Sequence, residues 1–212
     1  MIDYCIDVHN DESRGYVFAT GLFSDSFAII DVGTDPSSPS LVGSYISSTY
    51  INGAFGIDYS ESDGHAFVVG AYSESLAVLD VGTDASSPSL VGFYTSSSYL
   101  SSARGCAYDD VREYVYVAGY SDNAVVVIDV GTDASNPSLV GYFVSSTYMA
   151  QPWYLACDPS RGYVYVSGSA SDAVVILDVG ADAANPTYLA SYSSTSVMDR
   201  PSGVAVDVST GY

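Results

Sequence analysis

The sequence predicts an all-β protein built from four copies of one four-stranded unit. Residues 15–210 of the 212-residue chain repeat with a period of 49 and without a gap. No segment shows the 3.6-residue apolar periodicity of a helix. A fixed period of this length indicates one supersecondary unit that buries its faces against its own copies. The coinciding positions are Gly21, Gly70, Gly119 and Gly168; Asp31, Asp80, Asp129 and Asp178; Asp35, Asp84, Asp133 and Asp182; and Pro39, Pro88, Pro137 and Pro186.

The second copy shows the order of strands within a unit. Residues 56–60 alternate between apolar and polar side chains, and residues 65–70 are rich in β-formers. Residues 76–81 are apolar on both faces, which predicts a strand packed between two other sheets. A loop containing Asp84 and Pro88 then leads into a fourth strand at 89–94. Each unit is therefore predicted to be a four-stranded antiparallel meander.

Sheets of this size that pack radially form a β-propeller, in which every blade covers the faces of its neighbours. We therefore predict one propeller domain over residues 1–212, with a stacked β-solenoid as the alternative. Solenoid coils are shorter than 49 residues, which favours the propeller. The predicted blades cover residues 4–46, 56–95, 105–144 and 154–193.

The two ends of the chain both resemble a first strand. Residues 5–8 are matched to residues 56–59, and residues 203–207 form a surplus end strand after the fourth blade. A ring of four blades needs only one of the two. We interpret the chain as part of a larger array, completed by further sequence or by another chain, as in a homo-oligomer that completes the ring. A closed four-bladed ring with one end strand displaced is the alternative.

The charge of the chain is strongly one-sided. It has 25 Asp and Glu against five Arg and no Lys, a net charge of -20. Such a charge repels phosphate backbones and anionic lipid surfaces, so we expect neither nucleic acid nor membrane as a partner. No apolar run reaches 18 residues, which argues against membrane insertion. The first ten residues lack signal-peptide features, so we expect a cytoplasmic protein, or an extracellular or cell-surface one if the chain is a fragment of a secreted protein.

The third strand of each unit carries a recognisable pattern. Residues 27–31 read FAIID, residues 76–80 LAVLD, residues 125–129 VVVID and residues 174–178 VVILD. Each is followed by Val-Gly and then by Asp, small residues and Pro. The sequence resembles the LVIVD-repeat family, whose members are similar to β-propellers and often belong to bacterial or archaeal surface proteins. The loop between Asp80 and Pro88 is about one residue longer than the family's usual turn. The resemblance implies a fold and surface display, and no particular reaction.

Few residues suggest catalysis. The two histidines, His9 and His65, lie at non-equivalent positions, and no Gly-x-Ser-x-Gly elbow occurs. Asp7 and Asp58 lie on first strands and could ligate a central metal, but the other copies have Ala at the position taken as equivalent. We therefore predict that the protein is not an enzyme and has no cofactor. The three cysteines are predicted to be buried free thiols (Cys5, Cys106 and Cys157).

The repeated Asp pair allows two interpretations. One is a calcium site in each unit, because calcium prefers carboxylate oxygens. The other is turn capping, because Asp folds back onto its own backbone before Pro. Two carboxylates per loop fall short of the usual calcium ligand density, so capping is favoured. The candidate calcium residues are Asp31, Asp35, Asp80, Asp84, Asp129, Asp133, Asp178 and Asp182.

The segments between the fourth strand of one unit and the first strand of the next differ most between copies. Aromatic and Arg residues there are typical of recognition surfaces, which favours a binding or adhesion module for a protein or glycan. Packing inside the funnel is the alternative for the aromatic residues. A structural segment of a larger surface protein, without a ligand, is the alternative function. The candidate binding residues are Asn52, Phe55, Arg104, Gln151, Trp153 and Arg200.

Overall fold

The computed structural model describes residues 2–33, 35–82 and 84–209, which form sixteen strands in four antiparallel sheets. Each sheet is a meander of four consecutive strands, here called blades 1 to 4. None of the described residues belongs to a helix long and apolar enough to cross a bilayer. The strands are β1 (Cys5–Asp11), β2 (Tyr16–Gly21), β3 (Ser26–Asp31), β4 (Ser40–Ile46), β5 (Ala54–Ser60), β6 (His65–Gly70), β7 (Ser75–Asp80), β8 (Ser89–Thr95), β9 (Ala103–Asp109), β10 (Tyr114–Gly119), β11 (Ala124–Asp129), β12 (Ser138–Val144), β13 (Pro152–Asp158), β14 (Tyr163–Gly168), β15 (Ala173–Asp178) and β16 (Thr187–Ser193).

The core lies between successive blades. Alternate residues of the two middle strands point to opposite faces. In blade 2, Phe67 and Val78 pack toward blade 3, whereas Val68 and Leu79 pack toward blade 1. All four side chains are almost completely buried. The third strand is therefore apolar on both faces because each face meets another sheet, as the sequence predicts.

The Val-Gly pair of the fourth strand has a packing reason. A Cβ atom on Gly92 would lie 2.4 Å from the carbonyl oxygen of Ala134, in the loop of the next blade. Gly43 and Gly141 make the same close approach to the loops of blades 2 and 4, respectively. Ala190 takes this place in blade 4.

The four blades form an open arc. The inner strands β1, β5, β9 and β13 contact one another in succession, and three clusters of buried side chains join blades 1 to 2, 2 to 3 and 3 to 4. No such cluster packs the sheet face of blade 4 on that of blade 1 among the described residues. A small cluster at the channel does bring Ile6 and Leu22 of blade 1 together with Phe55 of blade 2 and Trp153 and Tyr154 of blade 4. The arc is not the closed four-bladed ring of our alternative.

Two details differ from the sequence analysis. Val8 pairs with Ala19 as Ile57 pairs with Val68, so β1 keeps the 49-residue period and His9, not Asp7, corresponds to Asp58. The match of residues 5–8 to 56–59 was two residues out of register. Residues 203–207, predicted as an end strand, form no strand in the structure. Residues 204–206 instead line the channel beside the inner strands.

Candidate functional site

The second-to-third turns and the blade connections meet at one end of the arc, here called the upper rim. It consists of residues 22–25, 71–74, 120–123 and 169–172 together with 47–53, 96–102, 145–151 and 194–202. The amide N–H of Ala71 donates to the carbonyl of Gly53 over 3.0 Å, and the carboxylate of Asp25 accepts from the amide of Gly53 at 2.7 Å. In later blades Asn123 and Asp172 bind the amides of Gln151 and Arg200, both at 2.9 Å. These bonds fix the connections to the turns of the blades that they join.

Three of the six candidate binding residues meet where this rim borders the channel. Phe55, Arg104 and Trp153 start the inner strands of blades 2, 3 and 4. The guanidinium carbon of Arg104 lies 4.5 Å from the ring centroid of Phe55, 4.9 Å from that of Tyr120 and 5.0 Å from that of Trp153. Tyr120 and Trp153 pack edge to face, with centroids 5.4 Å apart. We call these four residues the arginine–aromatic cluster.

The members of the cluster differ in exposure. Phe55 is only 2% exposed and packs on Leu22 and Ala71, so its side chain fills the funnel, as our packing alternative states. Trp153, Tyr120 and Arg104 are half-buried. A ligand at the upper rim would contact these three, whereas Phe55 supports them from below.

Arg104 has no acidic partner in the part of the chain that the structure describes. No Asp or Glu carboxylate of the described residues lies within 4.0 Å of its guanidinium. Its Nε is buried and has no hydrogen-bond acceptor. Burial lowers the pKa of Arg104 from its ordinary value, and the Tyr120 hydroxyl opposes this shift. The faces of the aromatic rings thus hold the guanidinium by cation–π contact. These contacts do not provide a hydrogen-bond acceptor for its Nε–H group.

The other candidate residues lie apart or act indirectly. Gln151 joins the cluster because its side-chain oxygen accepts a hydrogen bond from the Tyr120 hydroxyl at 2.9 Å. Asn52 uses its backbone carbonyl to accept from the amide of Tyr72 at 2.9 Å. Arg200 is exposed on the blade 4 side, with no contact to the cluster in the described interactions. Gln151 and Arg200 both have a left-handed backbone, with φ of 53° and 52°.

The aromatic residues of the second-to-third turns were not among the predicted binding residues. Tyr120 completes the cluster, while Phe23 and Tyr72 are 62% and 57% exposed on the same rim. These turns read Leu-Phe, Ala-Tyr, Tyr-Ser and Ser-Ala in the four copies. Comparing the copies at these positions, as we did for the connections, would have identified them.

At the opposite end, here called the lower rim, lie the first-to-second turns (12–15, 61–64, 110–113 and 159–162) and the third-to-fourth loops (35–39, 84–88, 130–137 and 179–186). The paired Asp residues cap these loops. The Asp133 carboxylate accepts from the amide and hydroxyl of Ser135 at 2.9 and 2.6 Å, and Asp129 accepts from Gly131 and Thr132. Asp35, Asp84 and Asp182 make equivalent caps. Among the described residues, no group of three or more His, Cys, Asp or Glu side chains is arranged to hold a metal ion.

The channel between the rims contains a cavity of about 680 Å³ lined by the inner strands. Asp7 and Asp58 face it, and each carboxylate accepts an amide N–H from the next inner strand, of Ile57 at 3.0 Å and of Tyr108 at 2.7 Å. His9 Nδ1 lies 3.2 Å from the Asp58 carboxylate. Burial raises the pKa of both carboxyl groups.

The cysteines are all free, but their burial differs from our prediction. Cys106 is buried and Cys157 is half-buried. Cys5 is exposed, so the prediction was wrong for this residue. It lies in blade 1, where no preceding blade covers the inner strand.

The radial arrangement of four-stranded meanders around a channel defines a β-propeller-type repeat protein. Solved structures share this fold. A protein of unknown function from Desulfotomaculum acetoxidans is 14% identical, with a TM-score of 0.77 over 99% of this chain and 61% of its own. A putative 6-phosphogluconolactonase from Bacteroides uniformis is 13% identical, with a TM-score of 0.77 over 94% and 56%. The periplasmic gluconolactonase of Pseudomonas aeruginosa is 15% identical, with a TM-score of 0.74 over 94% and 55%. The chain thus spans little more than half the length of these proteins.

Three of the four repeats match a known sequence family. Residues 16–47, 62–96 and 112–144 match the LVIVD repeat, each including the third strand of a blade. The chain therefore contains three LVIVD repeats, as the third-strand pattern predicts. No curated protein matches the sequence significantly.

The prediction that the protein is not an enzyme was wrong as drawn. It relied on missing catalytic motifs, yet the same fold is found in proteins named as lactonases. At 13% and 15% identity the likeness shows the fold alone, so it assigns no reaction to this chain.

Proposed function

We propose that the protein is a recognition module that binds a protein partner through its upper rim, centred on the arginine–aromatic cluster. The observation that carries this proposal is Arg104, whose guanidinium stacks on three rings. It has no acidic partner among the described residues, although the chain has a net charge of -20. Arg, Trp and Tyr in a partly desolvated cluster are the usual hot spots of protein interfaces.

The surroundings of the cluster support a protein ligand. Phe23 and Tyr72 extend the aromatic surface along the same rim. Most of the acidic residues lie on the lower rim and in the channel. The upper rim therefore repels a negatively charged protein less than the other surfaces do. A broad rim with exposed aromatic residues suits another protein surface better than a small molecule, which prefers an enclosed pocket.

The test selects ligands without knowing the natural partner. Peptides are selected from a random displayed library on the immobilised protein, and their affinities are measured for the wild type, Arg104→Gln and Trp153→Ala. Removal of a hot-spot side chain should weaken binding by about tenfold or more, which corresponds to about 1.4 kcal/mol. The matched control is Val111→Ala, an exposed position on the lower rim.

The outcomes separate the alternatives. Peptides that bind Arg104→Gln and Trp153→Ala as tightly as the wild type would contradict the proposal. Binding in a parallel glycan array that depends on Arg104 would assign the same rim to a glycan. Failure to select any ligand would favour the structural segment without a ligand.

A second candidate function is an enzymatic activity in the channel. The specific observation is the His9–Asp58 pair at 3.2 Å beside a cavity of about 680 Å³. An imidazole hydrogen-bonded to a carboxylate can serve as a general base. Two similar structures are named as lactonases, so the probe is glucono-δ-lactone. Opening faster than the spontaneous rate, lost in His9→Asn, would support this candidate, and the spontaneous rate would exclude it for this probe.

A further inference from the structure

Stacked tyrosine rings lie where a blade connection meets the outer strand of the next blade. Tyr99, in the connection from blade 2 to blade 3, stacks on Tyr142 of β12, with ring centroids 4.1 Å apart and ring planes inclined by 24°. Tyr148, in the next connection, stacks on Tyr188 of β16 at 4.1 Å and 20°. Of the ring pairs among the described residues, these two alone join tyrosine to tyrosine. We call them the tyrosine pairs.

The two tyrosine pairs are built from different positions of the repeat. One period before and after Tyr142 the sequence has Phe93 and Ser191. Blade 4 therefore lacks an aromatic residue at the position of Tyr142. Its ring comes instead from Tyr188, whose hydroxyl lies 2.9 Å from that of Ser191. A tyrosine thus stacks on Tyr148 although the equivalent of Tyr142 is a serine.

The tyrosine pairs combine close contact with access from solvent. Tyr142 and Tyr148 are both 44% exposed, and their partners are half-buried. The separation of the rings is close to the optimal carbon–carbon contact of about 3.5–4.0 Å. A hydrogen bond with the Tyr142 hydroxyl raises the pKa of Tyr99 above its ordinary value. The two hydroxyl groups therefore lie at the same end of the stack, and the ring carbons ortho to them face each other.

We propose that the tyrosine pairs are sites of oxidative cross-linking, at which a haem peroxidase with hydrogen peroxide joins Tyr99 to Tyr142 and Tyr148 to Tyr188 as dityrosine. Each phenol loses one electron and its hydroxyl proton to become a phenoxyl radical. The two radicals of a pair couple through a new bond between ortho carbons, and the proton on each of these carbons moves to the phenolic oxygen. The peroxide takes up the two electrons and two protons and leaves as two molecules of water.

Each cross-link fastens the outer strand of a blade to the connection that precedes its inner strand. The bond from Tyr99 to Tyr142 encloses β9, β10, β11 and most of β12, which together make up blade 3. A covalent link of this kind restricts the unfolded chain, as a disulfide does. All three cysteines are free thiols, so the tyrosine pairs supply a constraint that the cysteines do not. This role is independent of the arginine–aromatic cluster and of any ligand at the upper rim.

Treatment of the dilute protein with a haem peroxidase and limiting hydrogen peroxide tests the proposal. Chromatography in denaturant separates single chains from chains that are joined to one another, and mass spectrometry of their peptides identifies the coupled tyrosines. In single chains we expect cross-links between Tyr99 and Tyr142 and between Tyr148 and Tyr188, each with the loss of two hydrogen atoms. Single chains without these cross-links, or with cross-links spread equally over exposed tyrosines such as Tyr72, would overturn the proposal.

Phenylalanine variants provide the matched controls, because the stacked pair of Tyr50 and Phe93 in blade 2, with centroids 4.7 Å apart, already contains a phenylalanine. The double variant Tyr142→Phe, Tyr188→Phe should keep its fold by circular dichroism and lose both cross-links. Tyr72→Phe removes a tyrosine that is 57% exposed and belongs to neither pair, so it should retain both. Oxidation should raise the unfolding midpoint of the wild type and of Tyr72→Phe, and leave that of the double variant unchanged. Equal dityrosine fluorescence or equal midpoint shifts in the two variants would contradict the proposal.

Discussion

Arginine has opposite surroundings at the two rims. On the lower rim, Arg112 binds the carboxylate of Asp109, three residues earlier, at 3.0 Å. Arg14 and Arg161 are paired in the same way with Asp11 and Asp158. On the upper rim, Arg104 stacks on three aromatic rings and forms no ion pair with any described residue. The Arg that recurs at the lower rim is thus paired with a carboxylate in the turn of its own blade. Arg104, which occurs in one copy only, has no such pairing among the described residues.

Removal of a lower-rim carboxylate should have the largest effect on stability. Asp109 is 1% exposed and accepts hydrogen bonds from the amides of Val111 and Arg112, from the Arg112 side chain and from the Tyr116 hydroxyl. Asp109→Ala leaves these donors unsatisfied and should lower the free energy of unfolding by about 3 kcal/mol. Urea denaturation measures the change. The control, Asp110→Ala at the exposed neighbour, should stay within about 0.5 kcal/mol. Equal losses in both variants would contradict the role of the buried carboxylate.

Residues with a left-handed backbone provide a second comparison of the two rims. On the lower rim Gly64 has φ of +69°, and a Cβ there would lie 2.6 Å from Gly82 Cα. Gly64→Ala should therefore cost about 2 kcal/mol. On the upper rim Ser102 has a left-handed backbone without being glycine, so Ser102→Gly should stabilise the fold by about 0.5 kcal/mol. Thermal unfolding of both variants checks the opposite signs, and a shift in the same direction would refute the argument.

Arg104 should contribute little to stability. Arg104→Gln loses the cation–π contacts but also removes a buried Nε that lacks an acceptor, so the net change should be below about 1 kcal/mol. Arg112→Gln on the lower rim should cost about 1–2 kcal/mol, because it breaks a charge-assisted hydrogen bond to a buried carboxylate. Unfolding midpoints of the two variants test this difference. A larger loss of stability in Arg104→Gln than in Arg112→Gln would mean that the cluster chiefly stabilises the fold.

The smallest effect concerns pH. Hydrogen bonds from Ser135 lower the pKa of Asp133 below its ordinary value of 3.8. The carboxylate therefore stabilises the folded state above that value, and its contribution is lost as the pH falls through the lower folded-state pKa. Asp133→Ala should be less stable than the wild type at neutral pH, and the difference should vanish in acid. Denaturation curves at several pH values measure it, and a constant difference would show that the cap is not electrostatic.

The repeat made the blade predictable, because the same strand and turn signals occur four times. The third strand was identified as buried on both faces from its unbroken apolar run. The first strand of blade 1 was misaligned because the identical residues Asp7 and Asp58 were matched to each other. The fixed period assigns His9 to the position of Asp58.

The site was harder to predict. Phe55, Arg104 and Trp153 stood out because they vary between copies, but Tyr120 lies on a hairpin turn of one of those blades. Its approach to Arg104 depends on how far each turn leans toward the channel. The position of each turn relative to the channel follows from the packing between blades, which cannot be read from the sequence. Sequence comparison between copies finds candidate residues, and only the arc brings them together.

The carboxylates along the channel have a consequence for how the molecule opens. Asp7 ties blade 1 to blade 2 and Asp58 ties blade 2 to blade 3, each through an amide of the next inner strand. Between the inner strands of blades 3 and 4 the link is the Cys157 thiol, which donates weakly to the Tyr108 carbonyl at 3.1 Å. The lower rim adds one hydrogen bond at this junction, from Arg112 Nη1 to the Pro159 carbonyl at 2.7 Å. A linear array separates first at its weakest junction. Amide hydrogen exchange should therefore be fastest in blade 4, which would detach as a cooperative unit while the other three blades stay protected.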